Sequence, residues 1–105
     1  MGLPRFILDR QGDIAALCQR HHARRLDLFG SAVRADFSPE RSDLDFVVDL
    51  SEDQPPGKYA EDFFALKDGL ETMFSRPVDL LTDASVVNPY LRQRINAERM
   101  TVYGT

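Results

Sequence analysis

Leu28-Phe29-Gly30-Ser31-Ala32-Val33-Arg34-Ala35-Asp36, followed after a short connection by Ser42-Asp43-Leu44-Asp45-Phe46-Val47-Val48-Asp49-Leu50, is the part of the 105-residue sequence that decides the fold. One apolar run leads into Gly-Ser, and a second carries two aspartates spaced two apart. In a β-strand such residues share a face with Cα atoms roughly 6.5–7 Å apart, so Asp43 and Asp45 can aim their carboxylates at one ion. Leu44, Phe46, Val48 and Leu50 then form the opposite, all-apolar face, which reads as core. The face with Asp43, Asp45, Val47 and Asp49 reads as partly wet. Asp49 has the same parity but lies about 13 Å along the strand from Asp45, too far to share its ion, and reads as a strand-end residue.

Two carboxylates on one face repel each other unless a cation or a shared proton compensates. Oxygen-only ligands favour a hard cation such as Mg²⁺, which takes one or two carboxylates and completes its shell with substrate phosphates. Gly30 lets backbone approach a phosphate closely. Ser31 offers a hydroxyl and an N–H at the start of a helical turn, where anions bind. Alone, Gly-Ser is an ordinary turn and Asp-x-Asp an ordinary strand end; the two together point to phosphate and metal chemistry.

Outward from this stretch the elements follow by periodicity and punctuation. Met1 to Gly12 reads as a loosely attached arm or short first turn. Asp13 is placed to cap a helix running to about Arg24, with Ile14, Leu17 and Cys18 on its buried face. His21 and His22 end that helix, and neighbours about 100° apart on a helix do not readily share a metal, so they read as solvated helix-end side chains. Arg25 to Phe29 is a short strand, and Ser31 to Ala35 a helical turn. Pro55-Pro56-Gly57 breaks the chain, and Lys58 to Ser75 is the strongest helix, with Tyr59, Phe63, Leu66, Leu70, Met73 and Phe74 at core spacing. Val78 to Thr82 is a strand in which Asp79 interrupts apolar or β-branched neighbours; buried there, an aspartate without a role would be costly, and a turn or edge-strand aspartate is the alternative. Asn88-Pro89 starts a helix over Tyr90 to Glu98, and Met100 to Tyr103 adds an edge strand.

Composition bounds the function. The 43% hydrophobic content fits a folded globule, and one cysteine, Cys18, excludes an internal disulfide and a cysteine-rich zinc site. No apolar run reaches the roughly 18 residues of a membrane span, and no signal-peptide pattern opens the chain, so a cytoplasmic location is expected. Thirteen basic against 17 acidic side chains leave a net charge of −4, which disfavours direct nucleic-acid binding. The clusters Arg20, Arg24, Arg25 and Arg92, Arg94, Arg99 read as exposed helix faces, with partner or nucleotide contact as the alternative.

Leu28-Phe29-Gly30-Ser31, Arg34 and Ser42-Asp43-Leu44-Asp45 together resemble the signature of the DNA polymerase β-like nucleotidyltransferase superfamily, and the short length resembles its minimal branch, MNT. Pro77-Val78-Asp79-Leu80-Leu81-Thr82 is similar to the strand that supplies the family's third carboxylate. Two features depart from the pattern: the Ser31–Asp43 interval is one residue longer than is common, and Ala35 stands where glycine is frequent. Both fall in a connecting loop, which tolerates insertion.

The resemblance implies a single domain over residues 1–105 with a mixed α/β (α+β) fold: a small mixed sheet, helices packed on one face and three carboxylates on the other. It implies catalytic and metal-binding roles for Asp43, Asp45 and Asp79 around two Mg²⁺ ions, and a triphosphate grip by Gly30, Ser31 and Arg34. ATP is the implied donor. Larger relatives carry an acceptor domain for which 105 residues leave no room, so an acceptor on another protein is favoured. Minimal members are commonly paired with a helical HEPN-type toxin, which they neutralise as antitoxins, in some cases by adding AMP to a tyrosine. Neutralisation by binding alone, and a small-molecule nucleotidyltransferase completed by another subunit, are the competing readings.

Overall fold

A computed structural model describes residues 2–34 and 43–104. The elements are α1 (Arg5–Leu8), α2 (Gln11–Arg20), β1 (Ala23–Phe29), a 3₁₀ turn (Gly30–Ala32), β2 (Leu44–Leu50), α3 (Lys58–Phe74), β3 (Val78–Thr82), a second 3₁₀ turn (Asp83–Ser85), α4 (Pro89–Glu98) and β4 (Met100–Tyr103). The strands form one sheet in the order β3-β2-β1-β4. β2 and β3 are parallel and joined through α3, whereas β1 runs antiparallel to both β2 and β4. This is the mixed sheet expected from the sequence.

Strand parity sorts the side chains into two cores. Leu26, Leu28, Leu44, Phe46, Val48 and Leu80 pack with Ile7, Ile14, Leu17, Cys18, Leu66 and Leu70 of the first three helices. On the other face, Phe29 and Val47 pack with Val86 and Ile95, so α4 covers part of the surface expected to be wet, and Val47 is buried. Asn88 fixes where α4 begins: its Oδ1 accepts from the N–H groups of Tyr90 and Leu91 at 2.9 and 3.1 Å, with Pro89 in the first turn. Along α3, Leu66 and Leu70 are fully buried while Tyr59, Phe63, Met73 and Phe74 pack at the margin. Gly69 lets this helix lie against α2, because a Cβ there would stand 2.7 Å from Leu17 Cδ1.

Three local expectations are corrected. The amino-terminal segment is anchored: Ile7 is fully buried, and Phe6 meets Phe74 edge-on at 5.9 Å between ring centres. Asp13 does not cap α2, which starts two residues earlier; its carboxylate instead accepts from Arg10 Nε at 2.8 Å. His21 and His22 are not simply solvated. His22 Nδ1 lies 2.9 Å from Oδ2 of the buried Asp62, His21 Nδ1 is 3.9 Å from Oδ1, and Lys58 Nζ is 3.4 Å from the same oxygen. Burial holds the His21 pKa below its ordinary value, against the pull of Asp62. His22 takes a left-handed backbone conformation, φ 61°, where the chain turns from α2 into β1.

A buried ionic chain fastens α4 to the sheet. Asp27, fully buried on β1, accepts from Arg25 Nε at 3.0 Å and from Arg99 Nε at 2.6 Å, and Arg99 reaches Asp83 at 3.2 Å. Arg92 also pairs with Asp83. Removing one member of a buried pair leaves the other uncompensated, so Asp27→Ala should cost about 3 kcal/mol. Urea unfolding monitored by circular dichroism checks this, and a loss below ~1 kcal/mol contradicts it.

Candidate active site

The strand register lines up the site. Phe29 stands opposite Asp45, and Asp45 opposite Asp79, so Gly30, in the turn that follows β1, comes together with Asp45 on β2 and Asp79 on β3. Gly30 adopts φ 78°, and its carbonyl accepts from the N–H groups of Val33 and Arg34 at 3.1 and 3.3 Å, closing the turn that carries Ser31. A Cβ at Gly30 would overlap Asp45 Oδ2, so glycine is required both by the backbone angle and by the carboxylate against it.

Asp45 is half-buried, while Asp43 and Asp79 are exposed. Burial first, then repulsion from Asp79 and a hydrogen bond to it, with a little repulsion from Asp43, together push the Asp45 carboxyl up to about 6 against the pull of Arg94. A carboxylate whose neighbours are carboxylates is a site that wants a cation or a proton. Among the described residues no group of three His, Cys, Asp or Glu side chains is already drawn tightly enough to hold an ion. The Asp45–Asp79 pair nonetheless fits a hard divalent cation by its oxygen-only chemistry and mutual repulsion, with Asp43 on the same face to add a third carboxylate. Asp49 stays outside, paired with Arg24 at 3.1 Å, as its distance along the strand requires.

Arg34 is held at the site by Glu98, whose Oε1 and Oε2 accept from Nη1 at 2.8 and 2.9 Å. Glu98 also accepts from the Gly30 N–H at 3.1 Å and lies 3.4 Å from Arg94 Nε. Neither Glu98 nor Arg94 was expected at the site. A glutamate in the last turn of a helix opposes the helix dipole, and that unfavourable position is the one local sign that Glu98 has a partner elsewhere. Cys18 is a core residue as expected, its thiol pushed up to about 12 by burial and therefore unreactive. Ser42, Ala35 and the lengthened connection lie outside the described residues.

The nucleotidyltransferase domain model matches residues 14–102, which include the turn, all three aspartates and Glu98. This chain belongs to the nucleotidyltransferase-domain family. A Methanocaldococcus jannaschii protein provisionally assigned as a protein adenylyltransferase is 35% identical over 89 residues, 85% of this chain and 89% of that protein. Among solved structures, one assigned as a minimal nucleotidyltransferase superposes with a TM-score of 0.66 and 30% identity over 95% of both chains. A chain from the complex of tri-AMPylated Shewanella oneidensis HEPN toxin with its MNT antitoxin shares the fold, with a TM-score of 0.64 and 19% identity over 94% of this chain and 73% of that one. The minimal nucleotidyltransferase resemblance is thereby established, and with it the enzyme class. No helix among the described residues of this nucleotidyltransferase is long and apolar enough to cross a membrane.

The raised Asp45 pKa carries a stability consequence with a definite sign. The unfolded chain releases this proton near 3.8 and the folded chain near 6, so folding is penalised progressively as pH rises between those values. In EDTA at pH 7.5, Asp45→Asn should unfold at a temperature higher by about 5 °C, after discounting for solvent screening, and the gain should shrink toward zero near pH 4. Calorimetry across that pH range checks it; a destabilised Asn variant at pH 7.5 contradicts it.

Proposed function

We propose that this nucleotidyltransferase transfers AMP from ATP to a hydroxyl, that of a tyrosine, on a HEPN-type toxin in the cytoplasm, and so acts as the antitoxin of a pair. The observation that carries the reading is the alignment of the Gly30–Ser31 turn, which follows β1, with Asp45 on β2 and Asp79 on β3. The adenylyltransferase assignment of the archaeal relative and the AMPylated toxin of the Shewanella complex support AMP as the group transferred and a HEPN toxin as acceptor.

In this mechanism Asp43, Asp45 and Asp79 would hold two Mg²⁺ ions. Bound there, the cations neutralise charge on the triphosphate and on the attacking oxygen. The Ser31 hydroxyl and the N–H groups of the turn receive the β- and γ-phosphates, and Arg34 adds a charge-assisted contact. The acceptor oxygen attacks the α-phosphorus as the bond to the bridging oxygen breaks, and pyrophosphate departs in line. Asp79, exposed on the edge strand β3, would take the proton from the acceptor hydroxyl. Asp45, packed beneath Gly30, fixes the distance between the phosphate turn and the carboxylates.

Asp45→Asn keeps the shape and removes one charge of the carboxylate set. Incubation of either protein with labelled ATP, Mg²⁺ and the cognate toxin, followed by mass spectrometry of the toxin, should show added AMP with wild type. With Asp45→Asn the rate should fall by roughly two to three orders of magnitude while the complex still forms. An unmodified toxin inhibited equally by both proteins would replace catalysis with neutralisation by binding.

A further inference from the structure

We propose that Glu98 is a positioning residue for nucleotidyl transfer: its carboxylate is the strut that holds the Gly30–Ser31 turn, together with Arg34, in the arrangement that receives the triphosphate. The inference rests on the triphosphate role given to that turn under Proposed function. Glu98 comes from the end of α4, 68 residues along the chain from Gly30, yet its Oε2 accepts from the Gly30 N–H at 3.1 Å and from Arg34 Nη1 at 2.9 Å. The side chain is only 11% exposed, and Arg94 Nε at 3.4 Å flanks it. One carboxylate thus touches the first backbone donor of the turn and an arginine expected to contact phosphate.

A carboxylate on anion-binding groups could be either a strut or an occupant that the triphosphate must displace. The next residue decides between them. Arg99 is clamped to the fully buried Asp27 at 2.6 Å and to Asp83 at 3.2 Å, and its N–H closes the helix end on Ile95 at 2.8 Å. With the backbone of Glu98 fastened to the sheet, swinging the carboxylate out would leave the Gly30 N–H unsatisfied in a part-buried place. The strut also explains how Gly30 can keep φ 78° while pressed on Asp45, since the turn is gripped from both sides.

Glu98→Asp retains the charge but withdraws it by one carbon, about 1.5 Å, beyond reach of the Gly30 N–H. Glu98→Gln keeps the length and one acceptor oxygen for the Gly30 N–H but replaces the other oxygen, which faces Arg34 and Arg94, by an amide NH₂. Calorimetric titration with ATP and with AMP, each with Mg²⁺, should show Glu98→Asp binding ATP about tenfold more weakly and AMP as wild type does. Glu98→Gln, which keeps the Gly30 bond and loses the pairing with the arginines, should lose less ATP affinity than Glu98→Asp and bind AMP as wild type does. Should the aspartate variant not fold, Glu98→Met, of similar length without an oxygen acceptor, carries the same expectation. Equal ATP affinity in wild type and Glu98→Asp overturns the inference. So does tighter ATP binding, which would make the carboxylate a competitor of phosphate, and so does a parallel loss for ATP and AMP, which would make it merely structural. A wild type that binds no ATP overturns the reading of the site itself, and this inference with it.

Discussion

A glycine pressed against a half-buried aspartate is the contact on which the rest of the structure depends. Gly30 and Asp45 can touch because one lacks a side chain and the other ends its strand pairing beside it. That closeness requires β1 and β2 to be antiparallel neighbours in one fixed register. A slip of one residue would turn Asp45 into the apolar core and Phe46 out to the Gly30 turn. Leu44, Phe46, Val48 and Leu50 prevent it, since all four are buried against the helices on the other side. Burial of one face therefore sets the geometry of the chemistry on the other.

The second support comes from α4. Its last residue and the one after it carry opposite charges that grip different parts of the sheet: Glu98 holds the Gly30 turn, and Arg99 holds Asp27 and Asp83. Ile95 packs beneath them against Phe29 and Val47. The apolar contact gives this helix its place and the ionic contacts give it its rotation, because nondirectional burial alone would tolerate small shifts that a 2.6 Å hydrogen bond does not.

Much of this was legible in the sequence, for reasons that separate local from distant interactions. The parity of β2, the core stripe of α3, the Asn88-Pro89 helix start and the bounds of β3 all depend on residues within a few positions of one another, and the structure has them. The Asp-x-Asp pair and the Gly-Ser turn were readable because their spacing restricts where a strand can point them. Glu98 was not, since its partner at Gly30 is 68 residues away, and His22 meets Asp62 across 40. Two adjacent histidines at a helix end give no hint of a buried aspartate waiting on another helix. The one-residue lengthening before Asp43 lies outside the described residues.

Asp27 and Asp45 show what distinguishes a structural carboxylate from a chemical one on the same face of the same sheet. Asp27 is the more deeply buried of the two, yet arginines on both sides satisfy it, and it ties elements together. Asp45 is less buried, but its burial is joined by repulsion from Asp79 and Asp43, with Arg94 the opposing charge acting on it, so its ionised form is unfavourable in the folded protein. Burial alone would rank Asp27 as the more unusual residue. The sign of the surrounding charge ranks them the other way, because a carboxylate already neutralised by arginine has little left to offer a cation, whereas one crowded by its own kind lowers its energy by receiving one. The fold holds that unfavourable arrangement where the Gly30 backbone presses against it, and under the proposed reading an acidic protein would accept a triphosphate there together with cations that both of them require.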